Sequence, residues 1–224
     1  FIEQKLRGNS VFHTQAPLEV TLYDSNWNRI KKTIMTNGQF SSATVTIPFH
    51  PILTLLNEDN KLNQAGTDNK LIISSPSTKS LNMSLFNLTT VSVSDSAFLH
   101  IEHHWVKPDT IQNNPNNYRI SESRYWSVKG ILPADFDAKA KIYFDGRYNS
   151  GYLDVDLAPV NGDSLILLYR ENASQDWTLY PYYTKTTLSS TIAYGWMTID
   201  SLLLGDYAFA NGDLTFGVNE TTLD

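Results

Sequence analysis

The chain has 224 residues, 41% hydrophobic and 18% charged, which is enough apolar material for a substantial core and argues against a disordered chain. Its formal net charge of -6 argues against nucleic acid as a partner, because nucleic acids bind basic surfaces. The absence of cysteine excludes disulfides, thiolate metal sites and a cysteine nucleophile. No apolar run reaches the roughly 20 residues that a spanning helix needs, so we expect no transmembrane segment.

The pattern along the chain predicts strands and turns rather than helices. In "LEVTLYD", Leu18, Val20 and Leu22 share one face, which is typical of a half-buried strand. "SNWN" is then a turn, and "RIKKTIM" is the returning strand. Later predicted strands include, in chain order, "SATVTIPF", "LIIS", "LNMSLFNLTTVSV", "AFLHIEHHWV", "YRISESRYWSVKG", "AKIYFDG", "GYLDVDL", "SLILLYR", "DWTLYPYY", "TIAYGWMTI" and "GDYAFA".

The many short strands predict an all-β protein of two consecutive antiparallel β-sandwich modules of the immunoglobulin-like type. The polar, proline-containing stretch "SSPSTKS" is the predicted boundary, with one module over 1–76 and the second over 80–212. Residues 213–224 are expected to form a last strand or linker. In "LLLGDYAF", Tyr207 fits a tyrosine corner, whose hydroxyl bonds back to the backbone; an ordinary strand aromatic is the alternative.

The stretch "HIEHHW" is the strongest candidate for a metal site. A metallopeptidase helix needs H-E-x-x-H, whereas here the glutamate is two residues after the first histidine and the surroundings alternate like a strand. On a strand, His100, Glu102 and His104 share one face and are weak candidates for a metal. The preferred interpretation is a solvent-facing polar row with Trp105 in the core and His103 at the rim, so that serine at His100 or His104 costs little stability.

Other candidates are less specific. Asp154, Asp156 and Asp163 in "DVDLAPVNGD" have oxygen ligands suited to calcium, although a polar strand and turn is the preferred interpretation. Trp27, Tyr180 and Tyr183 are candidate aromatic residues for binding a carbohydrate, with an ordinary structural role as the alternative. The chain has no nucleophile elbow, no phosphate-binding glycine loop and no dinucleotide fingerprint.

Two stretches resemble a known family. "FIEQKLRGNSVFHTQAPLEVTLYD" and "IPFHPILTLLNEDNKL" resemble the β-sandwich domain that follows the catalytic domain in the aminopeptidase N family of zinc metallopeptidases. "HIEHHWVKPD" and "RYWSVKG" are similar to a downstream segment of large secreted bacterial members. The short "GVNE" at 217–220 resembles linkers before a type IX secretion sorting domain.

The resemblance implies an exported zinc aminopeptidase as the parent protein, with zinc in its catalytic domain and that domain as this segment's partner. Since the chain has no H-E-x-x-H and no G-x-M-E-N motif, no catalytic or cofactor-binding residue can be assigned here, and the segment is expected to be non-catalytic. Its expected role is to support the catalytic domain and to space it from an export or anchoring tag. A module binding carbohydrate or the cell surface is the first alternative, and a metal enzyme centred on His100, Glu102 and His104 is the second.

Overall fold

The structure, a computed structural model, describes residues 1–147, 153–158, 164–189 and 192–212. Within these residues the protein is all-β and contains no helix, which confirms the predicted class. Accordingly, the described part of the chain offers no helix long and apolar enough to cross a membrane.

The strands are short and follow one another closely. Those of the first half are β1 (Ile2–Glu3), β2 (Ala16–Tyr23), β3 (Arg29–Thr36), β4 (Phe40–Ser41), β5 (Leu53–Leu56), β6 (Gly66–Ile73), β7 (Ser77–Leu81), β8 (Phe86–Ser92) and β9 (Ala97–His104). Those of the second half are β10 (Arg119–Ile120), β11 (Tyr125–Ile131), β12 (Asp137–Asp145), β13 (Leu165–Arg170), β14 (Thr178–Leu179), β15 (Tyr183–Ser189), β16 (Ile192–Ile199) and β17 (Gly205–Asn211).

Two large antiparallel sheets make up the body of the molecule. The seven-stranded sheet has the order β14-β13-β17-β11-β9-β6, with β10 also paired to β17. The five-stranded sheet has the order β15-β16-β12-β8-β7. The residues that precede them, 1–62, form a smaller N-terminal unit with a three-stranded sheet, β3-β2-β5, and the β1-β4 pair.

A shared hydrophobic core lies between the two large sheets. The seven-stranded sheet contributes Trp126 and Phe209, and the five-stranded sheet contributes Phe86 and Phe144, all buried in one cluster. Trp126 packs edge-on against Phe209 with ring centroids 5.1 Å apart. Burial of such aromatic side chains is the main favourable contribution to folding.

The N-terminal unit packs on the other face of the seven-stranded sheet. Phe98 of β9 stacks on Tyr23 with centroids 5.4 Å apart and meets Trp27 at 6.1 Å. Leu53 and Leu55 of β5 complete this second apolar cluster. The seven-stranded sheet therefore has one face against the five-stranded sheet and part of the other against the N-terminal unit.

Several local predictions are confirmed. "LEVTLYD" and "RIKKTIM" form the β2-β3 hairpin, whose turn is held by the Asp24 carboxylate accepting from the Asn26 and Asn28 amides. Tyr207 forms the predicted corner: its hydroxyl donates to the Leu203 carbonyl at 3.0 Å and accepts from the Leu203 amide at 2.9 Å.

Other local predictions are wrong. "SATVTIPF" is not a strand, although its residues alternate between exposed and half-buried, because no neighbouring strand pairs with it in the described structure. In "GYLDVDL", residues 153–157 form turns rather than a strand.

The predicted domain boundary cuts through a sheet. Strand β6 lies before "SSPSTKS" but pairs along its whole length with β9, from Gly66 opposite His104 to Ile73 opposite Ala97. Strand β7, Ser77–Leu81, begins within that stretch and belongs to the five-stranded sheet. The chain thus passes at 74–76 from one large sheet to the other.

Candidate functional site

Strand β9 alternates as expected for an extended strand, but the burial of its two faces is not as predicted. Leu99, Ile101 and His103 point into the shared core. His100 and Glu102 point the other way and are nevertheless 2% and 6% exposed. The prediction of a solvent-facing row is therefore wrong, because the N-terminal unit and neighbouring side chains cover this face.

Glu102 belongs to a line of polar residues that crosses the sheet, here called the polar row. Strand register places its members directly opposite one another, in the order Asp68, Glu102, Ser127, Asp206 and Arg170 on β6, β9, β11, β17 and β13. Residues in such register have neighbouring side chains, so one row brings three carboxylates together.

Cations and histidines flank the polar row and pair with it. Lys129 Nζ lies 2.6 Å from Glu102 Oε2, and His100 Nε2 lies 2.9 Å from Asp68 Oδ2. Arg170 donates through Nε to Asp206 Oδ2 at 2.9 Å. Each of the three carboxylates therefore has a nitrogen partner, as buried charged groups require.

The charge states of this cluster follow from those contacts. The hydrogen bond to His100 lowers the pKa of Asp68. Burial raises the pKa of Glu102, but nearby positive charge, that of Lys129 foremost, outweighs it and the net pKa is lowered. Burial also lowers the pKa of His104, so that its ring is neutral at pH 7 and its 4.0 Å approach to Glu102 is not an ion pair.

The candidate metal ligands His100 and His104 have different partners. Among the described residues, no group of three or more histidine, aspartate or glutamate side chains is arranged to hold a metal ion. His100 bonds to Asp68, while His104 lies 3.2 Å from Ser127 Oγ and stacks on Tyr125 with centroids 4.4 Å apart. The two histidines are thus directed to different partners.

Ser127 and His104 invite comparison with a nucleophile and its base, since a histidine at hydrogen-bonding distance can activate a serine hydroxyl. Ser127 is 3% exposed, and its hydroxyl donates to Asp206. A substrate carbonyl could not reach this oxygen in the observed conformation. The arrangement therefore favours internal hydrogen bonding over acyl transfer.

His103 and Trp105 differ from their predicted positions. His103 is fully buried, stacked on Trp126 at 4.6 Å and tilted against Trp105 at 4.7 Å, rather than at the rim. Among the described residues, neither ring nitrogen has a hydrogen-bond partner. Burial, together with the charges of Arg124 and His104, lowers the pKa of His103 to about 2. Trp105 follows the end of β9 and is only half-buried.

The aromatic residues considered for carbohydrate binding are scattered. Tyr180 is 1% exposed and its hydroxyl donates to the Ser201 carbonyl, so neither ring face is open to a sugar. Trp27 packs against Phe98, and Tyr183 is half-buried at the start of β15. The structure does not bring these three rings to one surface.

Of the calcium candidates, Asp154 is engaged in an internal ion pair. The Asp154 carboxylate is fully buried and forms an ion pair with Arg124, with Nε donating at 2.9 Å. Burial raises the pKa of Asp156. Asp163 lies outside the described residues.

A feature that the sequence did not indicate is a cleft beside the N-terminal unit. It has a volume of about 810 Å³ and is lined by Lys5, Phe12, Phe40, Asp109, Arg170 and Gln175, among others. Arg170 connects it to the polar row. In the sequence, Asp109 follows Lys107 and Pro108, but this combination of residues is too common to predict a cleft.

Comparison of the chain with protein families, with curated proteins and with solved structures yields no match. The resemblance to the aminopeptidase N family therefore stays a prediction.

Proposed function

We propose that the chain is a non-catalytic C-terminal segment of an exported zinc aminopeptidase, which supports the catalytic domain and spaces it from an export or anchoring tag. The motif resemblance over residues 1 to about 75 and around "HIEHHWVKPD" supports the proposal. In the same proposal the two large sheets are an immunoglobulin-like sandwich, supported by the corner at Tyr207.

The observation that carries the proposal is that Asp68 of the polar row, with neighbouring residues, joins the N-terminal unit to the seven-stranded sheet. Asp68 accepts a hydrogen bond from Asn60 of the N-terminal unit at 3.0 Å as well as bonding to His100. Lys70 donates to the Glu58 carbonyl at 2.6 Å. Phe98 also packs against Tyr23 and Trp27 of the N-terminal unit. Together these contacts join the N-terminal unit and the large sheets into one body, which is what a spacer between two other domains requires.

The N-terminal unit also has exposed apolar side chains that a catalytic domain would contact. Val11, Met35 and Ile52 are 79%, 58% and 52% exposed. Strand register places Met35 beside Pro17 and Ile52 beside Tyr23, at opposite ends of β2, so these side chains are separate candidate contacts rather than one apolar patch.

The test is binding in trans to the polypeptide encoded directly upstream. We expect an H-E-x-x-H in that polypeptide, and binding that Val11→Asp together with Met35→Asp weakens. Leu179→Asp is the control, because Leu179 is also exposed, at 46%, but lies on β14. Chelator-sensitive aminopeptidase turnover by the isolated chain, or an upstream sequence without H-E-x-x-H, would contradict the proposal.

A further inference from the structure

The cleft beside the N-terminal unit has the size and position of a ligand site. Its volume of about 810 Å³ lies within the roughly 300–1,000 Å³ of small-molecule sites. One side belongs to the N-terminal unit and the other to two loops, residues 107–112 after β9 and residues 173–176 after β13. Sites between two packed parts of a protein are a common place for ligands.

The cleft has a charged group held rigidly among its lining residues. The Arg170 side chain is 4% exposed, donates from Nε to Asp206 and from Nη1 to Asp109 at 2.6 Å, and lies over the Trp177 ring at 4.5 Å. Among the described residues, no group accepts a hydrogen bond from its Nη2. Because Arg170 also lines the cleft, its guanidinium is a donor of fixed orientation that can bind a ligand at little entropic cost.

The loop side of the cleft is also fixed and is polar. Asp176 accepts from the backbone amides of Gln112 and Asn113 at 2.9 and 2.7 Å, which ties the two loops together. Ser174 and Gln175 are exposed beside it and line the cleft. These side chains both donate and accept hydrogen bonds, as hydroxyl groups of a ligand require.

The N-terminal unit contributes aromatic surface. Phe12 is half-buried, and Phe40 is 68% exposed although it lines the cleft. An exposed phenylalanine beside fixed polar groups suits a ligand with both an apolar and a polar face, such as a pyranose ring.

The charges that line the cleft balance. The cations are Lys5, Lys107 and Arg170, and the anions are Glu3, Asp109 and Asp176. Lys5 pairs with Glu3 and Asp109, and Lys107 pairs with Glu122. This balance favours neither a polyanion nor a cation as ligand.

We propose that this cleft binds a short neutral glycan, with a pyranose ring against Phe40 and hydroxyl groups toward Arg170 and Gln175. The site is distinct from the aromatic residues considered in the sequence, and the inference is independent of the proposed role as a support. It would give the segment a binding activity of its own.

The test is ligand-observed NMR with saturation transfer, using cellotriose, maltotriose and mannotriose, with trigalacturonate as an acidic comparison. We expect saturation transfer to at least one neutral trisaccharide, with affinity reduced at least about tenfold by Phe40→Ala or Gln175→Ala. Both side chains are exposed, so neither change should unfold the protein. Tyr182→Ala is the matched control, since Tyr182 is an aromatic residue of 58% exposure that does not line the cleft.

Three results would overturn the proposal. The first is that none of the neutral trisaccharides shows saturation transfer at about 10 mM, a concentration at which even weak binding is detected. The second is binding that Phe40→Ala and Gln175→Ala leave intact, because the ligand would then lie elsewhere. The third is binding of trigalacturonate alone, which would contradict a neutral ligand. Thermal melts of each variant verify folding.

Discussion

At the scale of single residues, His100 shows how a neighbouring segment changes the meaning of a polar side chain. The pattern of β9 correctly separates His100 and Glu102 from Leu99 and Ile101. Period-two alternation cannot say which face is covered, because that depends on residues 1–62 packing from outside the strand. The sequence therefore predicts the direction of His100 but not its burial.

Replacement of His100 by alanine should cost about 1–3 kcal/mol, because it leaves the partly buried Asp68 carboxylate without its histidine partner. This corrects the small cost expected for an exposed position. Urea unfolding at pH 7 measures the difference. His13→Ala is the control, since His13 is exposed, and its effect should stay within about 0.5 kcal/mol. Equal effects of the two replacements would contradict the burial of the polar row.

His103 should make the protein less stable in acid. Its pKa is about 2 in the folded state and about 6.5 in the unfolded state, so between these values the unfolded chain binds a proton that the folded chain does not. The free energy of unfolding therefore does not depend on His103 protonation above about pH 6.5. As the pH falls from there toward 2, it decreases by at most about 1.4 kcal/mol per pH unit.

His103→Phe should remove that contribution to the pH dependence and keep a planar ring between Trp105 and Trp126. It also removes two buried nitrogens for which the described part of the chain supplies no partner, so stability at pH 7 should be unchanged or higher. Urea midpoints between pH 4.5 and 7 measure the slope, with His13→Phe as the control. A slope equal to that of the unmodified chain would show that His103 is not buried in a neutral state.

At the scale of strands, the sequence predicts elements whose partners are close in the chain and misses those that depend on distant pairing. The β2-β3 hairpin follows from alternation on both sides of a short turn, and Tyr207 follows from a local motif. "SATVTIPF" has strong strand propensity, yet propensity does not supply a hydrogen-bonded neighbour. The sequence predicts "LIIS" as a strand, but nothing in it indicates β9 as the partner strand.

Strand β6 should be indispensable to the large sheets. A chain of residues 77–224 should be less stable than one of residues 64–224, because it loses β6 with the buried Ile73 and exposes the edge of β9. Loss of Ile73 alone corresponds to about 2–5 kcal/mol. Both chains lack the N-terminal unit, so their comparison isolates β6. Urea unfolding with size-exclusion chromatography measures the effect, and equal stability would place the boundary at "SSPSTKS".

At the scale of the whole molecule, the central claim is that the N-terminal unit and the large sheets form one cooperative body. The claim depends on the Phe98 cluster and on Asp68, which bonds both to Asn60 and to His100. The polar stretch "SSPSTKS" predicts two modules because it has the composition of a linker, whereas the contacts that join the parts lie far apart in sequence.

Differential scanning calorimetry of the whole chain at pH 7 tests this claim most directly. We predict a single transition in which the calorimetric and van't Hoff enthalpies agree, because the parts unfold together. A separate transition at lower temperature, which disappears when residues 1–62 are removed, would contradict it and show that the N-terminal unit unfolds independently.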